Sequence, residues 1–416
     1  MRILFVGMAN SIHLVRWIRQ FDGLGWDIHL FPVDAVDPHP SLSNVTVHDT
    51  RRNRAMDSGS SRSVRLRDEL WPLLGVNWPI SRGAGRIMHL SGRWFPWEDR
   101  AWRLARTIQK IQPDVIHSHE FQHAAYLTLD ARERLHGWFP PWIVSNWGHD
   151  IYLFGRLRAH RERIKAVLAA CDYYTCECSR DVKLAKDLGL TGEVLGVVPN
   201  TGGFDIAGAR SLGQPGPTSA RRTIALKGFQ NFYGRSLFGL RGIELAADAL
   251  KDYRIAVFSA TEDMRIAAEL LADASGLQID CLDQCSNEDI LRLHGMARVS
   301  IGVGISDAAS ISMLEGMIMG SFPIQSNTGC ANEWIKCGES GFLVPPEDPQ
   351  AVAEAIRRAV TDDALVDRAA EINARTVMER LDQSVIRPKV IAMYDRVAAD
   401  RARERQEDQI SPPQSG

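Results

Sequence analysis

The stretch RVSIGVGISDAASISMLEGMIMGSFPIQS, Arg298–Ser326, passes from one structural period to another and back. Its opening run, RVSIGVGI, is apolar and β-branched, which reads as a strand buried on both faces. SDAAS is a loop of small residues, Ile311–Met319 is a short helix, and Phe322–Gln325 is a second buried strand. Strand, helix, strand is a βαβ unit, which implies a parallel sheet with helices on both faces. The loop Asp307–Ser310 then lies at a helix start, where unpaired N–H groups and the positive dipole end attract phosphate. Two carboxylates, Asp307 and Glu315, stand eight residues apart around it. Buried acids are costly without partners. A carboxylate beside a phosphate site is suited to accept hydrogen bonds from paired hydroxyls. On this reading Glu315 holds a ribose, Asp307 holds a sugar, and the phosphates lie between them at the loop that ends in Ser310.

The same rhythm extends in both directions. Thr223–Leu226, Arg254–Ser259 and Leu277–Cys281 are strand-like, alternating with helical runs at Leu240–Leu250, Asp263–Ala274 and Asn287–Gly295. The first 200 residues repeat it, with strands at Arg2–Val6, Asp27–Pro32, Asp114–His119, Trp142–Trp147, Tyr173–Cys178 and Glu193–Pro199. Gly202–Ala220, containing GQPGPTS and no periodicity, reads as a linker. Thr50–Trp97, Arg- and Gly-rich, reads as an insertion. A chain of 416 residues also exceeds what one core sustains. The expected class is α/β: two Rossmann-like doubly wound domains facing a central cleft. Residues 1–201 form the first and 222–385 the second, with a linker at 202–221 and a C-terminal helix and disordered tail at 386–416. Ligands of open α/β sheets bind beyond the carboxyl ends of the strands.

Composition is that of an ordinary globular protein, 45% hydrophobic and 24% charged with a net charge of −2. No apolar run approaches the roughly 18 residues that span a bilayer, and MRILFVGMA reads as a first strand rather than a leader. A cytoplasmic protein is expected, with no nucleic-acid partner. Seven cysteines without a CxxC pair read as reduced thiols. Residues 51–110 hold 13 basic and 5 acidic side chains, and eight of the eleven tryptophans fall between Trp71 and Trp147. Such a region is either a face for an anionic membrane surface, at the inner side of the membrane, or a solvated helical face over core aromatics.

Residues 300–360 resemble the donor domain of retaining GT-B glycosyltransferases, family 4 in particular. That family has an E-x7-E motif, then a strand, a polar loop, a glutamate and G-x-L-V-P-P-x-D-P. This chain has Asp307 and Glu315, Gly320-Ser-Phe-Pro-Ile324, Glu333 and Gly341-Phe-Leu-Val-Pro-Pro-Glu-Asp-Pro349, with Asp where the family's first Glu stands. The resemblance implies an Arg and a Lys on the donor diphosphate. Gly234-Arg235 matches the arginine, while Arg241 and Lys227 are rivals for the lysine. It implies a histidine at the reacting sugar, which is His149 in Asn146-Trp-Gly-His-Asp150, where Asp150 reads as a helix N-cap. It also puts the loop after the first strand, with Asn10 and His13, on the acceptor side. His119, on the strand IHSHE, has a structural or acceptor-edge role.

The implied function is transfer of a sugar from a nucleotide-sugar donor to a glycan acceptor, a lipid-linked glycan among the candidates, in polysaccharide or glycoconjugate synthesis. The resemblance makes His149 and Asp307 catalytic, with Lys227, Arg235, Arg241, Ser310 and Glu315 on the donor. No cofactor is implied, the nucleotide sugar being substrate, and the absence of a D-x-D triplet implies no bound metal. The alternatives are a non-catalytic nucleotide-sugar-binding subunit, or an epimerase or phosphorylase on the same architecture.

Overall fold

The computed structural model describes residues 1–34, 36–48, 99–135 and 137–410, residues 404–410 as backbone alone. Two parallel sheets carry the chain. The first has the order β3-β2-β1-β4-β5-β6-β7, formed by β1 Arg2–Gly7, β2 Asp27–Pro32, β3 Thr46–Val47, β4 Val115–His119, β5 Trp142–Ser145, β6 Tyr173–Cys176 and β7 Glu193–Val197. The second has the order β10-β9-β8-β11-β12-β13, formed by β8 Thr223–Lys227, β9 Arg254–Phe258, β10 Gln278–Cys281, β11 Ala297–Gly302, β12 Phe322–Ser326 and β13 Phe342–Val344. The strand order reverses between β1 and β4 in one sheet and between β8 and β11 in the other. At such switch points successive loops leave on opposite faces and open a crevice.

β11, β12 and the intervening helix Ile311–Ile318 form the unit expected from the sequence, in register Val299↔Phe322 through Gly302↔Gln325. Seven of that helix's eight residues are buried, which is why it is apolar on every side instead of amphipathic. Its neighbours include the segment expected to be a bare linker. Phe204, Ile206 and Ala209 pack in one core cluster with Met313, Leu314 and Met317. Residues Ile206–Ser211 are helical, started by Asp205, whose carboxylate accepts the Gly208 N–H. The connection is packed because two large apolar side chains, Phe204 and Ile206, stand among the small polar ones and bury the turn.

The C-terminal helix runs over Gln383–Ile410, while 411–416 lie outside the described residues. Its Ile386, Val390, Met393, Tyr394 and Val397 return to the first domain and join Ile3, Phe5, Trp17 and Phe21 in one core cluster. The Tyr394 hydroxyl accepts the Trp17 indole N–H at 2.9 Å and bonds His117 Nδ1 at 2.5 Å, and His117 Nε2 meets the Ser145 hydroxyl at 2.7 Å. The chain therefore crosses between domains twice. The two crossings are stitched together, Phe204 N–H to Leu381 O and Gln383 N–H to Phe204 O, both at 2.9 Å.

The insertion read at Thr50–Trp97 lies outside the described residues, as does most of the basic Trp-rich stretch. Cysteine chemistry also departs from the reduced state expected. Cys178 and Cys330 form a disulfide across 152 residues of sequence, with Cα atoms 6.2 Å apart, while Cys171, Cys176, Cys281, Cys285 and Cys337 are free. Only the fold brings those two loops together, so spacing carried no signal of the pair.

Candidate functional site

The carboxyl ends of the two sheets face each other, and a cavity of about 280 Å³ lies between them. Segments that follow strands of both sheets deliver side chains to it. From the first sheet come His13 after β1, Trp147 and His149 after β5, Glu177 after β6, and Asn200 and Thr201 after β7. From the second come Lys227 at the end of β8, Tyr233 in the loop that follows, and Asp307 after β11. A narrower cavity continues along the second sheet past Lys227, Gly234, Gly304, Asp307 and Ser310 to the start of helix Ile311–Ile318.

The domains touch at the rim. His149 Nδ1 lies 3.1 Å from the Ser306 hydroxyl, and the His149 ring packs on Tyr233 with centroids 3.8 Å apart. Gly148 sits so close that a Cβ there would lie 2.5 Å from the Ala308 nitrogen. Arg180 donates to the carbonyls of Asp307 and Thr328, both at 2.9 Å, and so fixes the loop that carries Asp307. Glu333 receives the Ser179 N–H and hydroxyl, the latter at 2.6 Å, at the start of helix Ser179–Asp187. A carboxylate from one domain thus satisfies a helix N-terminus of the other.

Burial dominates the electrostatics of the cavity. It lowers the His13 pKa to about 4, assisted by the nearby positive charges of Arg16 and Lys227. It holds His149 below its ordinary value, with Asp307 opposing. Both imidazoles are therefore neutral near pH 7, and His13 Nδ1 has no hydrogen-bond partner. Glu177 is pushed up to about 8, by burial first and then by the like charges of Asp307 and Asp181, against the hydrogen bond it accepts from the Asn200 N–H. Lys227 makes no ion pair among the described residues, though its charge acts on the buried Glu315 and it shares the cavity with Asp307.

Of the residues singled out in the sequence, His13, His149, Lys227, Asp307 and Ser310 line one or both cavities. The others do not. Glu315 is 4% exposed and accepts the Asn287 amide at 2.7 Å, and Asn287 in turn accepts from Arg16 of the first domain. Burial raises the Glu315 pKa. Arg235 pairs with Glu347 at 2.6 Å beside the cavity wall. Arg241 is half exposed, pairs with Glu244 on its own helix and lines neither cavity, so of the rival cations Lys227 is the one at the cleft. Asn10 is exposed at the loop tip. His119 is buried among Phe5, Trp17, His117 and Trp147 with neither ring nitrogen partnered, and burial lowers its pKa to about 3. Asp150 caps no helix in its own segment. It closes a turn by accepting the N–H groups of Trp147 and of Phe121, the first residue of the helical turn Phe121–Ala125, while the next helical turn of its own segment, Phe154–Arg156, starts four residues on after Leu153.

Sequence reasoning missed Glu177, Tyr233, Arg16 and Asn287. Glu177 sits between two cysteines after a strand, a place with no signature of its own, and only the cleft makes it conspicuous. Asn287 opens the helix Asn287–Met296 after β10, and its side-chain amide donates to Glu315.

Comparison with known proteins agrees with the geometry. A family described as glycosyl transferases group 1 matches residues 245–376, and one described as glycosyl transferase 4-like matches residues 96–177. A D-rhamnosyltransferase, WbpZ of Pseudomonas aeruginosa, is 31% identical over 125 residues, covering 28% of this chain and 32% of its own length. Among solved structures, a glycosyltransferase from Rickettsia africae superposes with a TM-score of 0.63 at 15% identity, over 95% of this chain and 98% of its own. Anabaena Alr3699/HepE, solved in complex with UDP-glucose, gives 0.64 at 14% identity, over 95% and 99%. Likeness at that identity is likeness of fold. Among the described residues no helix is long and apolar enough to cross a membrane.

Proposed function

This chain is a GT-B protein of the glycosyltransferase group 1, family-4-like type, and on that premise we propose that it transfers a sugar from a nucleotide-sugar donor to a glycan acceptor with retention at the anomeric carbon. The observation that carries the reading is the convergence of Lys227, His149 and Asp307 on one cavity beside a helix start. Lys227 and the free N–H groups near Ser310 meet the charge that develops on the departing diphosphate, the largest electrostatic change in the reaction. His149, neutral and hydrogen-bonded to Ser306, and Asp307 hold hydroxyls of the donor sugar. Ribose hydroxyls take the place of the Asn287 amide on Glu315. Arg235, oriented by Glu347, adds a second cation at the diphosphate.

The acceptor enters from the first domain, over His13 and Glu177, and a phosphate oxygen of the donor takes its proton. No bound metal is needed in this scheme. A lipid-linked glycan acceptor and work in the cytoplasm at the inner face of the membrane complete the proposal, supported by the basic, Trp-rich segment of the sequence. Loss of binding to anionic vesicles on charge reversal between Arg51 and Lys110 is expected, and an unchanged affinity removes the membrane part.

The decisive measurement is thermal unfolding with UDP, GDP, ADP, CDP and dTDP, on the wild type, Lys227→Ala and Glu315→Ala. A ligand at about 100 times its Kd adds roughly 2.7 kcal/mol, and each kcal/mol is worth about 2–4 °C for a domain of this size. One nucleotide is expected to shift the wild type, with the shift lost in both variants. A folded sample that responds to none leaves a non-catalytic role as the better reading.

A further inference from the structure

We propose that Cys178 and Cys330 form a reversible redox latch, a modification site that closes the cleft covalently when oxidised and frees it when reduced. The pair is unlike the other five cysteines in joining two separate sheets. Cys178 follows β6 and immediately precedes helix Ser179–Asp187, and Cys330 opens the short turn Cys330–Glu333 after β12. Both are buried, 0% and 2% exposed, and pack on Ala308, the residue after Asp307. The latch therefore clamps the loop that carries an active-site carboxylate.

Its neighbours show what it holds. On either side run the contacts from Ser179 to Glu333 and from Arg180 to the carbonyls of Asp307 and Thr328. Each is a hydrogen bond between domains that parting of the domains breaks and water replaces. The disulfide is the one link in the row that opening cannot exchange for solvent. The central cavity lies between the two domains, about 280 Å³ with the link formed, so the motion the link restrains is the one by which a sugar nucleotide and an acceptor enter and leave.

A metal does not explain the pair better. Asp181 is the third potential ligand within reach, but its oxygens already accept Arg180 Nε at 2.8 Å and Asn146 Nδ2 at 2.9 Å. The chemistry is thiol–disulfide exchange with a low-molecular-weight disulfide such as glutathione disulfide. The thiolate of one cysteine attacks a glutathione sulfur and expels one glutathione thiolate. The second cysteine displaces the other glutathione, so two protein thiols and one glutathione disulfide become one protein disulfide and two glutathione thiols. With both sulfurs buried in the closed form, this exchange starts from the open one.

The test uses the full chain incubated with glutathione disulfide or with dithiothreitol. A non-reducing peptide map reads the link, and amide hydrogen exchange in residues 147–149 and 304–310 reads opening without needing a ligand. The oxidised wild type is expected to carry the Cys178–Cys330 peptide and to exchange at least about tenfold more slowly in those loops than the reduced form. Cys330→Ser and Cys178→Ser are each expected to exchange at the reduced rate in both conditions. The wild type alone supplies the comparison if either variant is unstable. Absence of the linked peptide after oxidation, or a linked peptide with exchange unchanged, overturns the proposal. Nucleotide binding is read separately, so failure of the donor-site reading does not mimic either outcome.

Discussion

At Glu177 a carboxyl with an ordinary value of 4.5 is pushed up to about 8 by burial and by facing Asp307. Between those values the folded protein keeps a proton that the unfolded chain has lost. Stability from the protonated carboxyl is therefore fully present below pH 4.5, falls as pH rises and is gone above about pH 8. Unfolding temperature should decline across that window in the wild type, and Glu177→Gln should remove much of the decline. Parallel slopes for the two proteins would assign the decline to other groups. Glu315 shows how far single residues were legible. Its place one turn into a helix beside a phosphate-binding loop was readable from order alone. Its engagement by Asn287, itself held by Arg16 from the other domain, depends on contacts 28 and 271 residues apart.

Among the elements, the helix Gln383–Ile410 shows how stability and architecture meet. It belongs by sequence to the second domain and by packing to the first, where the Tyr394 hydroxyl links Trp17 and His117 inside the core. Tyr394→Phe leaves a buried indole N–H without an acceptor, at a cost of about 1–3 kcal/mol. The unfolding temperature should fall by several degrees with nucleotide binding by the second domain retained. No change would mean that water or a rotated side chain satisfies Trp17. The strands were legible in the sequence because parallel strands buried on both faces are continuous apolar runs. The helices Arg158–Ala170, Ser179–Asp187 and Asp363–Arg380 were not, since their exposed faces are charged, the first buries only Ile164, Val167 and Leu168, and the other two bury Asp181, Ala185, Ala369 and Asn373, which weaken the apolar pattern. β3 and β13 span two and three residues, too few for any period to register.

For the whole molecule the governing quantity is how closely the two sheets approach. Gly148 is a point of close approach, where an added methyl meets the Ala308 nitrogen at 2.5 Å and Asp307 Oδ1 at 2.7 Å. Gly148→Ala should hold the domains slightly apart, leaving nucleotide affinity intact while transfer falls by about 100-fold, the usual penalty for misplacing reacting groups by an ångström. Unchanged transfer would show that the closed approach is not the reactive one.

The stitched crossings at Phe204 and Leu381–Gln383 act on that motion like two pins of one door. A single flexible tether would let the second domain twist and slide, but two adjacent crossings bonded to each other leave mainly rotation about the line through them. Gly203 has the backbone of Gln383 2.4 Å from where its Cβ would be, so the pins cannot be thickened without forcing them apart. Displacement then grows with distance from that axis. Labels placed beside Phe204 and Asp382 should keep their separation through a catalytic cycle, while labels across the rim at Gly148 and Ala308 should swing through the largest arc.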